Sequence, residues 1–160
     1  MTALRVGYGT DIHPLVSGES LILGGESVES DRGTQGHSDG DVLIHALVDA
    51  LLGAAGWGDI GQHFPSDEDR WEDVSSITFL QQVGDWLEEE NLIVVNADLT
   101  VHLEDLPLGS YRGAMRTNCE SPLPVEGGIN LKFPTADGLG PIGRGEAIRA
   151  EGVCLLDACS

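Results

Sequence analysis

At 160 residues the chain is long enough to bury a core without disulfides, and it reads as one domain over 1–160. Its 27 acidic residues against 8 basic ones give a net charge of −19, which excludes nucleic acid and anionic membrane surfaces as general partners. No apolar run approaches the roughly 18 residues of a membrane span, and Cys119, Cys154 and Cys159 form no C-x-x-C pair, so a soluble protein of a reducing cytoplasm is expected.

The acids are scattered, as on a solvated surface, and Lys132 is the only lysine. Both features suit a protein that works in concentrated salt, where counterions screen self-repulsion, and a halophilic source is expected.

In chain order, Leu4 to Gly9 ("LRVGYG") and Ser20 to Gly25 ("SLILGG") are strand candidates. A helix is expected from about Gly40 to Ala55, with Ser38 and its neighbouring aspartates as possible caps and Gly56 as its stop. Asp41, His45 and Asp49 fall at i, i+4 and i+8, one polar stripe on an otherwise apolar helix. Val74 to Glu89 reads as an amphipathic helix with Ile77, Leu80, Val83, Trp86 and Leu87 on one face. From Leu92 to Glu104 the period becomes two, placing Ile93, Val95, Ala97, Leu99, Val101 and Leu103 together. A short helix in "SYRGAMRTNC" and strands in "GINLKF" and "AIRAEGVCLLDA" complete the order. The expected fold is α/β (α+β), a mixed β-sheet with helices packed on one face.

The chemistry concentrates in "GYGTDIHP". In an extended segment Asp11 and His13 point the same way, which is half of a metal site. His45, an imidazole on a buried helix face, is the candidate third ligand; Asp plus two His leaves a tetrahedral position open for substrate. The competing reading makes His45 a core histidine bonded to a backbone carbonyl and Asp11 a turn cap. "GHSDGD" offers His37, Ser38 and a helix start to an anion. "GDIGQHFPSDED" is either a flap or a mobile acidic loop.

"GYGTDIHP", "GHSDGDVLIHALVDALLGAAGWGDIGQHFP", "NADLT", "NLK" and "GRGE" resemble, in order and spacing, the 2-C-methyl-D-erythritol 2,4-cyclodiphosphate synthase family, and the resemblance covers nearly the whole chain. It implies a homotrimer with active sites between subunits, each with one Zn²⁺ held by Asp11, His13 and His45. It implies that the 2-phosphate of a cytidine diphosphate-linked substrate attacks the β-phosphorus and CMP leaves, with no enzyme nucleophile. His37 and Ser38 match phosphate contacts; Asp59, Ile60 and Gly61 match contacts to the erythritol. Phe64, Ser66, Asp67 and Glu68 match the flap. Asp137 stands where a Glu of the family holds a second divalent ion, Mg²⁺ or Mn²⁺, and Thr135 joins His37 and Asp59 in the catalytic group. Arg144 matches an arginine near the trimer axis and the nucleotide phosphates; the alternative is a surface ion pair with Glu146 or Glu151.

The match weakens on the nucleotide side. The family's Lys-Ala-Thr-Thr-Thr-Glu becomes Lys132-Phe133-Pro134-Thr135-Ala136-Asp137, and its Ala-Pro-Lys becomes Asp105-Leu106-Pro107. Each lost neutral hydrogen bond costs roughly 0.5 to 1.5 kcal/mol. The alternative function is a zinc protein of the same fold that acts on, or only binds, another phosphorylated ligand.

Overall fold

The computed structural model describes residues 4–36 and 38–158; His37 and Cys159 lie outside them. Among the described residues the strands and α-helices follow in the order β1 Arg5–Ser17, β2 Leu21–Leu23, β3 Glu26–Val28, β4 Arg32–Thr34, α1 Val42–Ala55, α2 Ile60–His63, α3 Ser76–Glu89, β5 Leu92–His102, α4 Arg112–Glu120, β6 Ile129–Lys132, α5 Gly140–Gly143 and β7 Ala147–Ala158. Five strands form a mixed sheet in the order β4-β1-β7-β5-β6, antiparallel except for the β5–β6 pair. The helices cover one face, with α1 across β1 and β7.

The seat of α1 is made by glycine. Along β1, Gly7 and Gly9 face the helix, and a Cβ at either would lie 1.9 Å from the Ala50 carbonyl oxygen or 2.0 Å from that of Ala46. Helix backbone therefore rests directly on strand backbone. The next two residues on that face are Asp11 and His13, and the same close approach carries His45 down to them.

Several boundaries differ from the sequence expectation. β1 runs on to Ser17 because β7 pairs with it from Arg5 to Pro14, so "TDIHP" is strand and not a following loop. The expected strand Ser20 to Gly25 is the first arm of a hairpin, β2–β3, with Gly24 and Gly25 at positive φ in its turn. α1 starts at Val42 with Asp41 as its cap, because Gly40 sits at φ 69° with no room for a side chain beside Thr34. α3 starts at Ser76, two residues late, where the Asp39 carboxylate accepts the Ser76 N–H at 2.9 Å. On α3, Phe79 is buried with Leu80, Val83 and Leu87 while Ile77 and Trp86 are only partly covered.

In β5 the face assignment holds only past Val95. The pairing with β7 slips between Val94 and Asn96, so one extra residue bulges. Leu92 and Val94 are buried before it and Ala97, Leu99 and Val101 after it, whereas Ile93 and Val95 are not in the core. A single inserted residue moves every earlier side chain to the other face.

The opposite face of the sheet carries apolar side chains with nothing over them in one chain: Val6 is 69% exposed, Tyr8 58% and Ile12 55%. Glu151 sits among them, accepting from Tyr8, His102 and Arg149. Among the described residues no helix is long and apolar enough to cross a membrane.

Candidate metal centre

Asp11 and His13 from β1 and His45 from α1 each offer one ligand atom, and these lie within 4.8 Å of one another. Asp11 Oδ2 is 3.0 Å from His13 Nδ1 and 3.1 Å from His45 Nδ1. Despite that distance His13 Nδ1 is buried with no hydrogen-bond partner among the described residues, since the approach has the wrong angle for one. A buried polar nitrogen left unpaired is costly, and a cation among the three groups would satisfy it. The donor set of one carboxylate and two imidazoles fits a divalent metal.

Electrostatics agree with the geometry. Burial works against a charge on Asp11, but the close approach and charges of His13 and His45 outweigh it and hold the carboxyl well below the ordinary range. Burial likewise opposes a charge on His45, and is outweighed by Asp11, then Asp41 and Asp39, so its pKa rises. The centre is a negative pocket that favours a cation. The competing sequence reading is not realised: the partners of His45 are the side chains of Asp11, Ser38 and Ser76, and Asp11 stands within a strand.

The rest of the polar stripe has other work. Asp41 is fully buried, caps α1 at Ile44 and accepts from the backbone of Gly24 and Gly25, tying the helix to the β2–β3 turn. Asp49 accepts the Ile60 N–H at 2.8 Å and fixes the start of α2.

Beside the centre lies a cavity of about 260 Å³ lined by His13, Ser38, His45, Ile60, Gly61, Phe64, Ser66, Trp71 and Phe79. Phe64 stacks on Phe79 at 4.6 Å and meets Trp71 edge-on at 5.1 Å, making an aromatic wall. The Trp71 indole N–H is buried without a partner among the described residues, so the wall holds a free donor. Asp59 caps α2 through Gln62, and Glu68 pairs with Arg70; Asp59, Asp67 and Glu68 are exposed and do not line the cavity. The expected flap thus begins with the short helix α2 and is not loop throughout.

Three other expected site residues stand elsewhere in one chain. Thr135 lines a separate cavity of about 480 Å³ formed by Leu103 to Gly109, Arg112 and Phe133, where the Arg112 guanidinium lies 5.1 Å over the Phe133 ring. Asp137, at φ 52°, accepts from the Thr135 hydroxyl at 3.4 Å and is not part of the three-ligand group. Arg144 lines a third cavity of about 420 Å³ and pairs in two-pronged fashion with Glu146 at 3.0 and 3.1 Å. Burial pushes the Cys119 and Cys154 thiols up, the latter to about 11, so neither is a ready nucleophile.

Sequence reasoning missed Trp71, Phe79, Asp39 and Ser76. Asp39 lies inside the quoted "HSDGD", but Ser76 approaches from 31 residues beyond His45 and carries no local signal.

Fold and centre together define a class: a mixed α/β protein whose Asp-His-His cation site is set between its glycine-seated helix and the strand beneath. The chain belongs to the YgbB family, whose model matches residues 4–157, and its relatives there are 2-C-methyl-D-erythritol 2,4-cyclodiphosphate synthases. It is 46% identical to the synthase of Desulfosudis oleivorans over 154 residues, 96% of this chain and 92% of that one. With the synthase of Nitrosospira multiformis it shares 45% over 95% of this chain and 86% of the other. Among solved structures, the bifunctional IspDF of Campylobacter jejuni superposes with a TM-score of 0.93 at 33% identity, covering all of this chain and 44% of that one. A 2C-methyl-D-erythritol-2,4-cyclodiphosphate synthase with CDP bound gives 0.86 at 37% identity, covering 96% of this chain and 100% of the other. The Plasmodium falciparum IspF CDP complex gives 0.85 at 30% identity, covering 99% and 98%.

Proposed function

We propose that this protein converts 4-diphosphocytidyl-2-C-methyl-D-erythritol 2-phosphate to 2-C-methyl-D-erythritol 2,4-cyclodiphosphate and CMP, one step of non-mevalonate isoprenoid biosynthesis. The observation that carries the reading is the convergence of Asp11, His13 and His45 beside an aromatic-walled cavity. A 2-phosphate oxygen bonds to the β-phosphorus, the bridging P–O bond to the α-phosphate breaks, and CMP leaves with the electron pair. The attacking oxygen is already anionic, so the reaction needs positioning and charge neutralisation and no protein nucleophile. Zn²⁺ at Asp11, His13 and His45 would supply orientation and polarisation of the diphosphate.

The chain's own residues hold the rest. Ser38 with His37 receives phosphate; Asp59, Ile60 and Gly61 take the erythritol hydroxyls; Phe64 to Glu68 closes over the sugar, with the stacked Phe64 and Phe79 excluding water. Thr135 and Asp137 serve the nucleotide phosphates and a second divalent ion, Mg²⁺ or Mn²⁺. The separation of Thr135, Asp137 and Arg144 from the metal centre within one chain supports a homotrimer in which a neighbouring copy completes each site, and the uncovered apolar face of β1 supplies the surface for it. We assign the chain to one domain, to the cytoplasm and to a saline setting.

The second reading, a relative acting on or only binding another phosphorylated ligand, is favoured by the nucleotide side. There Glu104 already occupies the backbone N–H groups of Ala136 and Gly138 at 2.8 and 2.9 Å, so these donors are not open to a base. A CMP-release assay with the cytidine substrate, Zn²⁺ and Mg²⁺ decides. Equal CMP and cyclic diphosphate are expected; zinc binding with no CMP release would leave the second reading.

A further inference from the structure

The ring of His45 is held on both edges. Nδ1 faces Asp11 Oδ2 at 3.1 Å, while Nε2 lies 2.9 Å from Ser76 Oγ and 3.2 Å from Ser38 Oγ. Ser76 is fully buried, and its hydroxyl has a second partner in Asp39 Oδ1. An ionised carboxylate can only accept, so the single hydroxyl hydrogen of Ser76 goes to Asp39 and its oxygen turns a lone pair toward His45. An Nε2 lone pair facing that oxygen would be repelled. Nε2 therefore carries a hydrogen, which leaves Nδ1, facing Asp11 and His13, as the ring nitrogen that can give its lone pair to a metal ion.

We propose that Asp39 and Ser76 are positioning residues for the metal centre: Asp39 accepts from Ser76, Ser76 accepts from His45 Nε2–H, and the ring is thereby fixed in the tautomer and orientation that make Nδ1 the ligand atom. The proposal rests on the metal reading of Asp11, His13 and His45. Partners behind a ligating histidine commonly set its tautomer and basicity in this way. The arrangement also joins α1 to α3, since Asp39 precedes α1, His45 lies within it and Ser76 opens α3. Capping of α3 alone does not explain the hydroxyl: the cap is the bond from the Ser76 backbone N–H to Asp39 Oδ2, and Ser76→Ala keeps it.

The test is zinc titration against a competing chelator on the full-length wild type and on Ser76→Ala, with ¹⁵N NMR of the histidine ring in the zinc-loaded wild type. We expect the dissociation constant for zinc to rise about 10- to 100-fold in Ser76→Ala, with an unchanged helical circular dichroism spectrum. In the wild type we expect hydrogen on His45 Nε2 and metal on Nδ1. Zinc affinity unchanged in Ser76→Ala, or metal on Nε2, would overturn the proposal. Should Ser76→Ala fail to fold, the wild-type ring spectrum decides alone. A wild type that binds no zinc overturns the metal reading instead, which is a different result.

Discussion

Asp41 is a fully buried carboxylate, held by three backbone N–H groups. Burial outweighs those bonds and raises its pKa to about 6 from 3.8. The folded chain then binds a proton more tightly than the unfolded one, so this group's contribution to stability is greatest below pH 4 and declines as pH rises to 6. The decline is about 3 kcal/mol. Urea unfolding across that range should show it, and Asp41→Asn should flatten the slope while costing about 1–3 kcal/mol, because its amide donor would face the Gly25 N–H. An unchanged slope in Asp41→Asn would assign the effect to another group. At the metal centre, the wild type should hold about one zinc per chain and His45→Ala none by metal analysis; full occupancy in the variant would reject the ligand assignment.

Between elements, the contact that matters most is α1 on β1. Gly9→Ala puts a methyl 2.0 Å from the Ala46 carbonyl oxygen, so the helix must lift and His45 must leave Asp11. Overpacking of this kind costs about 1–3 kcal/mol or more, and zinc affinity should fall with it. Gly53→Ala, whose new methyl meets nothing nearer than Tyr8 O at 4.0 Å, should instead raise stability by up to about 1 kcal/mol; thermal melts of both variants check the pair. In the nucleotide cavity, Phe133→Ala, Pro134→Thr and Pro107→Lys together should strengthen CDP binding by calorimetry without altering zinc content. Tight CDP binding by the wild type, indifferent to these changes, would make the departures neutral. The two main helices were legible because their signals, period and caps, are local; of the metal set only Asp11 and His13 had such a signal, a two-residue spacing within one strand, and it was the family resemblance that favoured joining His45 to them. The Val95 bulge was not legible, since only the pairing with β7 reveals the extra residue. Nor was Ser76, because its meeting with Asp39 and His45 is made by packing of α3 against α1, which leaves no trace in either segment.

Across the whole molecule, a charge of −19 must be reconciled with the proposed association through the face that exposes Val6, Tyr8 and Ile12. At 0.01 M salt the Debye length is roughly 30 Å, so each subunit of the proposed trimer would feel its neighbours' acids, and at 1 M it shrinks to about 3 Å. Sedimentation should therefore show trimer in concentrated salt and smaller species in dilute buffer, and Ile12→Asp should give monomer in both; a trimer indifferent to salt would remove the saline assignment. The strand order has a consequence for how the chain is made. Of the five strands of the sheet the central one, β7, comes last in sequence, and until it is made β1 and β5 share no neighbour. Synthesis from the N-terminus can thus form α1 and α3 early but cannot close the sheet, and pairing of the first strand with the last imposes a long loop closure. The nascent sheet stays in two halves until the twelve residues of β7 emerge to join them.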